Sequence, residues 1–364
     1  MNQDRLARVQ ARMAEVGVDA VALTSPVKVD YLTGFAEGTY ERFLSLTVFR
    51  EGTPVLVCPA LTENQARRHG IEDIHPWRDG ENPYALLHGL LAKRSALRVA
   101  VDDEYWAKHL LALQHECPGC HFSLASDVVD YVMRAKAPDE LAKLRAAGKI
   151  VDDAFAELLT VIQAGQTELE VQAILQGMVA ARGGKPTFCQ VAAGPAGAEP
   201  HHQNDDRPLT KGDVVVIDFG CEVEGYQADI TRTIGVQEVS DRAREVYDVV
   251  YRAHMAGRNA IRAGVTGGHV DHATRQVIED AGFGKFFNHR TGHGIGRRVH
   301  EAPEIGPGSG DVLMPGDCFS VEPGIYLPLE LGVRIENIVS ATTEGHECLN
   351  AEPSPILITI SYGR

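Results

Sequence analysis

The residues with the most chemical potential are acids that close apolar runs. Val214-Val-Val-Ile leads into Asp218, and Asp229 follows eleven residues on, past a turn signal at Glu224-Gly225. A continuous apolar run suits a strand covered on both faces, so Asp218 at its end is poorly hydrated and needs a cation or a proton. A hairpin folded near Glu224-Gly225 brings Asp218 and Asp229 together across neighbouring strands. The pattern recurs further along. Glu322 follows Cys318-Phe-Ser-Val, a turn lies in Leu327-Pro328-Leu-Glu-Leu-Gly332, and Glu336 returns on Val333-Arg-Ile-Glu. One acid at a strand end is ordinarily a capping or turn residue. Four at matching places carry a charge of about −4, which two divalent ions neutralise and one does not. His293, inside Gly292-His-Gly-Ile-Gly296, is the candidate fifth donor, and its glycines let the backbone pass close to other groups or take unusual dihedrals. The spacing is neither that of a zinc finger nor that of an EF-hand. Oxygen-rich ligation with one imidazole suits Mn²⁺, Co²⁺ or Zn²⁺.

The elements that must position these groups come as a repeat. Leu209-Thr-Lys-Gly-Asp-Val-Val-Val-Ile-Asp218-Phe-Gly220 returns as Leu313-Met-Pro-Gly-Asp-Cys-Phe-Ser-Val-Glu322-Pro-Gly324, an offset of 322 − 218 = 104 residues. Upstream, Ile162-Gln-Ala-Gly165-Gln-Thr167 returns as Ile261-Arg-Ala-Gly264-Val-Thr266, an offset of 261 − 162 = 99. Two copies of this length are too few for a solenoid. They predict a pseudo-twofold α+β domain, with one central sheet built from two half-sheets and helices covering one face. Residues 1–135 read differently, as a smaller α/β domain. Leu6, Val9, Met13 and Val16 recur at helical spacing, and strands are expected at Asp19–Thr24, Leu44–Phe49, Pro54–Cys58 and Leu97–Asp102. The boundary falls at Lys136-Ala-Pro138-Asp139-Glu140, where a proline stops one element and acidic residues open a long helix through Leu144, Ile150 and Phe155. The domains are thus expected at 1–135 and 136–364.

Composition narrows the function. The chain has 364 residues and a net charge of 35 − 50 = −15, which argues against nucleic acid or anionic membrane as a partner. No run of about 18 apolar residues exists to span a bilayer. The opening residues carry charges throughout and no apolar core, so no signal peptide is expected. Seven thinly spread cysteines fit a reducing cytoplasm better than a disulfide framework. Cys117-Pro-Gly-Cys120 has no second pair to complete a zinc site and no thioredoxin-like context.

Asp218-Phe-Gly, Asp229-Ile-Thr-Arg-Thr, Gly292-His-Gly-Ile-Gly, Val321-Glu-Pro-Gly-Ile-Tyr326 and Val333-Arg-Ile-Glu-Asn337 resemble the dinuclear metallopeptidases of the pita-bread fold. The branch they resemble is that of Xaa-Pro aminopeptidase (aminopeptidase P) and Xaa-Pro dipeptidase (prolidase). Asp30-Tyr-Leu-Thr-Gly-Phe35 is similar to the signature of the creatinase/prolidase-type N-terminal domain. The resemblance implies that Asp218, Asp229 and Glu336 hold one metal, and that Asp229, His293, Glu322 and Glu336 hold the other. Mn²⁺ is then the first expectation, with Co²⁺ and Zn²⁺ as alternatives. It further implies that His201 contacts substrate near the scissile bond, that His300 is its partner and that His289 lines the site. His201 is preferred to His202 on its spacing to Asp218. Arg334 shares a strand face with Glu336 and is expected to support a ligand or meet a substrate carboxylate. Tyr326 is a substrate-site candidate for which packing is an equal reading. Arg297-Arg298 reads as a solvated face that could alternatively steer a peptide carboxylate. A cytoplasmic homodimer is also implied.

Two metals that share carboxylates lower the pKa of a bridging water and so furnish hydroxide near neutral pH. Glu322 is the candidate to carry the proton to the leaving nitrogen, with His201 or His300 hydrogen-bonding the intermediate. The resemblance implies peptides with proline at the second position as substrates. An X-Pro bond has no N–H and a fixed φ, so a compact pocket around the ring selects it. The leading expectation is an Xaa-Pro aminopeptidase, with prolidase as the alternative and a non-catalytic peptide-binding relative third.

Overall fold

A computed structural model describes residues 1–36 and 40–360. Internal contacts divide the chain into two units, Met1–Met133 and Arg134–Arg364.

The first unit is built on a six-stranded mixed sheet. Its strands are β1 (Ala20–Leu23), β2 (Ser45–Phe49), β3 (Val55–Pro59), β4 (Ile74–Trp77), β5 (Arg98–Val101) and β6 (His121–Leu124), in the order β4-β3-β2-β1-β5-β6. Every residue of β1, β2 and β3 is buried, because helices cover both faces. Alternation sends Val21 and Leu23 to one core and Ala20 and Ala22 to the other. The first helix, Gln3–Val16, is capped by the Asn2 side chain and buries Leu6, Val9 and Met13, while Val16 stays largely exposed. Strands β4 and β6 were not legible in the sequence: one carries Pro76, and the other is mostly exposed at the sheet edge. Cys117 and Cys120 are free thiols across a tight turn.

The second unit shows the repeat in its hydrogen bonds. Helices Pro138–Val161 and Glu168–Ala181 precede the first strands, and helices Asp241–Asn259 and Gly267–Asp280 precede the second set. Thr167 and Thr266 cap the second helix of each pair through their hydroxyls. Gly165 N–H donates to Leu209 O at 2.8 Å, and Gly264 N–H donates to Leu313 O at 2.8 Å. Even the Asp of each L-x-x-G-D takes an arginine: Arg207 for Asp213, Arg134 for Asp317.

The strands do not form the single sheet expected from the repeat. A four-stranded sheet runs β17-β9-β8-β7, from β7 (Lys185–Ala193), β8 (Val214–Val223), β9 (Tyr226–Val236) and β17 (Ile358–Ile360). A five-stranded sheet runs β11-β10-β12-β15-β16, from β10 (Gly292–Gly294), β11 (Glu301–Ile305), β12 (Cys318–Val321), β15 (Asn337–Ala341) and β16 (His346–Cys348). The hairpin of β13 (Gly324–Leu327) and β14 (Leu331–Arg334) stands apart. The breaks fall at the acids. Pro323 has no N–H to continue β12, and the backbone there turns to other partners: Glu322 N–H donates to Thr291 O at 2.7 Å, and Glu336 N–H to Thr231 O at 3.1 Å. Interrupting the ladder aims both acids at the first half. Among the described residues no helix is long and apolar enough to cross a membrane.

Candidate metal centre

Strands β8 and β9 are joined at Glu224-Gly225, whose φ values of 49° and 80° match a tight hairpin turn. This fixes the register, with Asp218 opposite Thr231 and Gly220 opposite Asp229. Asp218 is therefore inside β8 rather than at its end, and it shares one sheet face with Asp229 and Thr231. Gly220, between the two acids on that face, has no room for a side chain. A Cβ there would stand 2.5 Å from the ring of Phe188, which covers this spot.

The second half supplies the remaining groups. His293 sits on β10, which runs against the backbone of β12 so closely that a Cβ on Gly292 would lie 1.9 Å from Ser320 O. Neither Gly292 nor Gly294 has a positive φ, so close approach rather than unusual backbone explains them. The Ser320 hydroxyl accepts from His293 N–H at 3.0 Å and donates to Glu322 Oε1 at 3.0 Å, fixing the two relative to each other. His293 Nδ1 donates to Gly294 O at 3.1 Å, which leaves the Nε2 lone pair facing the acids. Nε2 lies 3.3 Å from Glu322 Oε1 and 3.8 Å from Asp229 Oδ2. One ligand atom each from Asp229, His293 and Glu336 falls within 4.8 Å of the others.

Burial makes this cluster electrostatically unfinished. Burial, with repulsion from Glu336, Asp218 and Glu322, drives the Asp229 carboxyl well above the usual range. Burial and the charges of Glu322 and Asp218 do the same to Glu336, and burial raises Glu322. His293 is pushed down to about 4 by burial, so its imidazole is neutral. Asp218 Oδ1, Asp229 Oδ1 and Glu336 Oε1 are buried without a hydrogen-bond partner. Orphaned carboxylate oxygens beside a neutral imidazole lone pair fit divalent cations, and that donor set is the one their chemistry requires.

One side chain opposes the accumulated charge. Arg334 donates from Nη2 to Asp218 Oδ2 at 2.7 Å, from Nη1 to Tyr326 OH at 2.9 Å and from Nε to Thr231 Oγ1 at 3.0 Å. Thr231 in turn donates to Glu336 Oε2 at 2.8 Å. Arg334 thus orients acids from both halves. Its guanidinium is committed on all three nitrogens, which suits support of ligands better than capture of a substrate carboxylate.

Above the cluster lies a cavity of about 520 Å³. Asp218, Asp229, His293, Glu322, Glu336, His201, His289, His300 and Arg334 all line it, together with Phe188, Pro200, Arg290 and Val299. Tyr326 does not. It is buried behind the wall and bonds His289 Nε2 at 2.9 Å. His300 packs on His293 with ring centroids 4.0 Å apart, and burial pushes it down to about 4. Burial also lowers His289. The structure places His201 and His202 in different surroundings. His201 lines the cavity, whereas His202 Nε2 is 2.7 Å from the buried Glu168 carboxylate, which also accepts from Ala193 N–H and Asp205 N–H. Arg297 and Arg298 do not line the cavity.

Sequence reasoning missed Thr231, Ser320, Phe188 and Arg290. A hydroxyl two residues after Asp229 and another two before Glu322 share strand faces with those acids, and that alternation was an available signal. Phe188 and Arg290 carried none.

Two repeated halves that set four acids and one imidazole at a buried point define the pita-bread metallopeptidase class. Residues 142–343 match the sequence model of metallopeptidase family M24, and residues 5–134 match the Creatinase/Prolidase N-terminal domain. The chain belongs to metallopeptidase family M24. It is 38% identical to the probable dipeptidase PepE of Mycobacterium tuberculosis, over 97% of this chain and 96% of that one. It is 35% identical to an Xaa-Pro dipeptidase of Lactobacillus delbrueckii, over 95% of each. The crystal structure of dipeptidase PepE from Mycobacterium ulcerans superposes with a TM-score of 0.94 at 36% identity, covering 99% of this chain and 98% of that chain. An X-Pro aminopeptidase from Thermotoga maritima gives a TM-score of 0.84 at 30% identity, covering 98% and 99%.

Proposed function

We propose that the protein is an Xaa-Pro dipeptidase (prolidase) dependent on two divalent metal ions, Mn²⁺ first, and that it works as a cytoplasmic homodimer. The observation that carries the metal dependence is the buried acid cluster, with three orphaned carboxylate oxygens facing a neutral imidazole. In this reading Asp218, Asp229 and Glu336 hold one ion, and Asp229, His293, Glu322 and Glu336 hold the other. When bound, the ions supply Lewis acidity for the scissile carbonyl and a lowered pKa for the attacking water.

The chain's own residues do the rest. Glu322, fixed by the Ser320 hydroxyl, is suited to take a proton from the attacking water and pass it to the leaving proline nitrogen. His300, kept neutral by burial, and His201 can hydrogen-bond the carbonyl oxygen as charge develops on it. His289, oriented by Tyr326, closes another side. Phe188, Pro200 and Val299 give the wall an apolar stretch that suits a pyrrolidine ring.

The sequence alone placed the aminopeptidase first. The dipeptidase moves ahead because the two full-length relatives described above carry dipeptidase names, and so does the crystal structure with the higher TM-score. Hydrolysis of Xaa-Pro against Xaa-Pro-Yaa-Zaa by metal-loaded protein tests this. Cleavage of the dipeptide with little of the tetrapeptide is expected, and preferential cleavage of the tetrapeptide would make the protein an aminopeptidase.

A further inference from the structure

Arg232, in Asp229-Ile-Thr-Arg-Thr, does not line the metal-site cavity. Alternation along β9 turns it to the face opposite Asp229 and Thr231, between Ile230 and Ile234. Those two isoleucines pack with Phe155 and Leu158 of helix Pro138–Val161. Arg232 is only 7% exposed there. Nη1 donates to Thr231 O and Glu336 O, and Nη2 donates to Ala351 O at 2.7 Å. All three acceptors are neutral carbonyls. Among the described residues no carboxylate pairs with this guanidinium, and its Nε–H has no acceptor. A buried cation without a counter-ion is costly.

A second cavity, of about 280 Å³, opens beside it, and Arg232 lines its wall. Helix Pro138–Val161 supplies Asp152, Phe155, Ala156 and Leu159, whose spacing of i, i+3, i+4 and i+7 puts them on one face. Ile358 of β17 adds to the apolar wall. Asp152 Oδ2 accepts from Ala351 N–H at 2.6 Å, and among the described residues this carboxylate makes no ion pair. Burial raises its pKa, which a cation beside it would reverse. The other acid on the wall, Glu352, is already paired with Arg258. One cavity therefore carries one unpaired positive and one unpaired negative side chain.

The spacing of those two charges is set by a single residue. Ala351 gives its N–H to Asp152 and its carbonyl oxygen to Arg232. A free amino acid carries the same polarity over the same backbone atoms, as an ammonium and a carboxylate. Both side chains keep capacity for it. Asp152 Oδ1 accepts nothing among the described residues, and Arg232 retains Nε–H and one N–H of Nη2, the edge that meets a carboxylate in bidentate fashion. Phe155, Leu159 and Ile358 offer apolar contact to a side chain. The volume suits one small molecule, since drug-sized ligands occupy roughly 300–1,000 Å³. We propose that this cavity is a second site, separate from the metal centre, that binds a free α-amino acid with an apolar side chain. Its carboxylate meets Arg232 and its ammonium meets Asp152. No bond forms or breaks there.

The test is calorimetric titration of L-leucine into metal-loaded wild type, Asp152→Asn and Leu159→Trp. Asp152→Asn removes the negative charge but can still accept from Ala351 N–H, and Leu159→Trp fills the cavity. Asp152→Asn should weaken leucine binding by about 10-fold or more, the weight of a charge-assisted hydrogen bond. Leu159→Trp should abolish it, and hydrolysis of Xaa-Pro should be unchanged in both variants. Leucine affinity that is the same in wild type and both variants would place the ligand elsewhere, the metal-site cavity included, and overturn the proposal. Absence of heat from wild type at millimolar leucine would overturn it too. Unaltered protein gives a second reading that survives a folding failure of the variants. N-acetyl-leucine lacks the ammonium and leucinamide lacks the carboxylate, so each should bind about 10-fold more weakly than leucine or worse. Equal affinity for either would overturn the assignment of the two charges. The binding readout needs no turnover, so failure of the peptidase reading would leave this inference standing or falling on its own result.

Discussion

Replacing Gly292 by alanine perturbs the site through one atom. The added Cβ would start 1.9 Å from Ser320 O and 2.7 Å from Ser320 C. Real Cβ contacts do not undercut 3.0 Å, so β10 and β12 must open by about 1.1 Å at this point. Both partners are backbone, which makes the movement costly. Overpacking of this kind costs about 1–3 kcal/mol, and the upper end is expected here because two strands must separate. In a unit of this size about 3 kcal/mol lowers the unfolding midpoint by roughly 6–12 °C. The functional loss should be larger than the stability loss implies. His293 rides on β10, and its Nε2 stands only 3.3 Å from Glu322 Oε1, with Ser320 setting both. A displacement of about 1 Å at a reacting centre costs on the order of 100-fold in rate. The assay is differential scanning fluorimetry with and without metal, together with kcat/KM on Xaa-Pro and metal content after dialysis. Gly177→Ala is the control. It is a helix position with nothing within 4 Å of the new Cβ, and a gain of about 0.5–1 kcal/mol is expected. Retention by Gly292→Ala of wild-type metal content, with kcat/KM within three-fold of wild type, would refute the claim that strand contact sets the imidazole.

Other outcomes follow from the same geometry. Arg334→Met leaves the Asp218 carboxylate buried without its cation and should destabilise the protein by about 3–5 kcal/mol, measured by denaturant unfolding; Arg334→Lys should rescue little, since one ammonium cannot serve Asp218, Tyr326 and Thr231 at the angles of a planar fork. Glu168→Gln weakens the bonds that hold the loop bearing His201 and His202, so a loss of about 1–3 kcal/mol with a lowered kcat is expected. The stabilisation conferred by metal should grow as pH rises. Asp229, Glu322 and Glu336 have raised folded pKa values, so the chelated protein loses stability as pH climbs through them, whereas metal takes the place of the protons. His293 and His300 are both lowered to about 4, so they are neutral in both forms near neutral pH and cancel in the difference. A loaded-minus-chelated difference in midpoint that is flat between pH 5 and pH 8 would contradict this.

Much of the catalytic half could be read from residue order because its information is local and repeated. The L-x-x-G-D copies foretold two halves, and each copy delivers the same bond from a left-handed glycine, Gly165 or Gly264, to the leucine that opens the motif. The acids and His293 were visible because such groups are rarely placed together without a cation. The broken sheet was less visible. Pro323 hinted at it, but the rerouting of Glu322 and Glu336 backbone bonds to Thr291 and Thr231 depends on the other half being in place. Arg290 and Phe188 gain meaning only from the cavity they line. Arg334 and Glu336 were expected on one strand face, but the strand ends at Arg334; both line the cavity, and the commitment of Arg334 to three acceptors emerges only once Asp218, Tyr326 and Thr231 converge from separate strands.

The most direct measurement titrates Mn²⁺ into chelator-stripped protein while following bound metal per chain by elemental analysis and Xaa-Pro hydrolysis in the same samples. The account predicts that hydrolysis returns as metal fills the cluster and reaches its maximum at two ions per chain, and that Asp229→Asn and Glu336→Gln abolish both binding and hydrolysis. Full hydrolysis by metal-stripped protein, or tight binding of two ions that brings no hydrolysis, would contradict it.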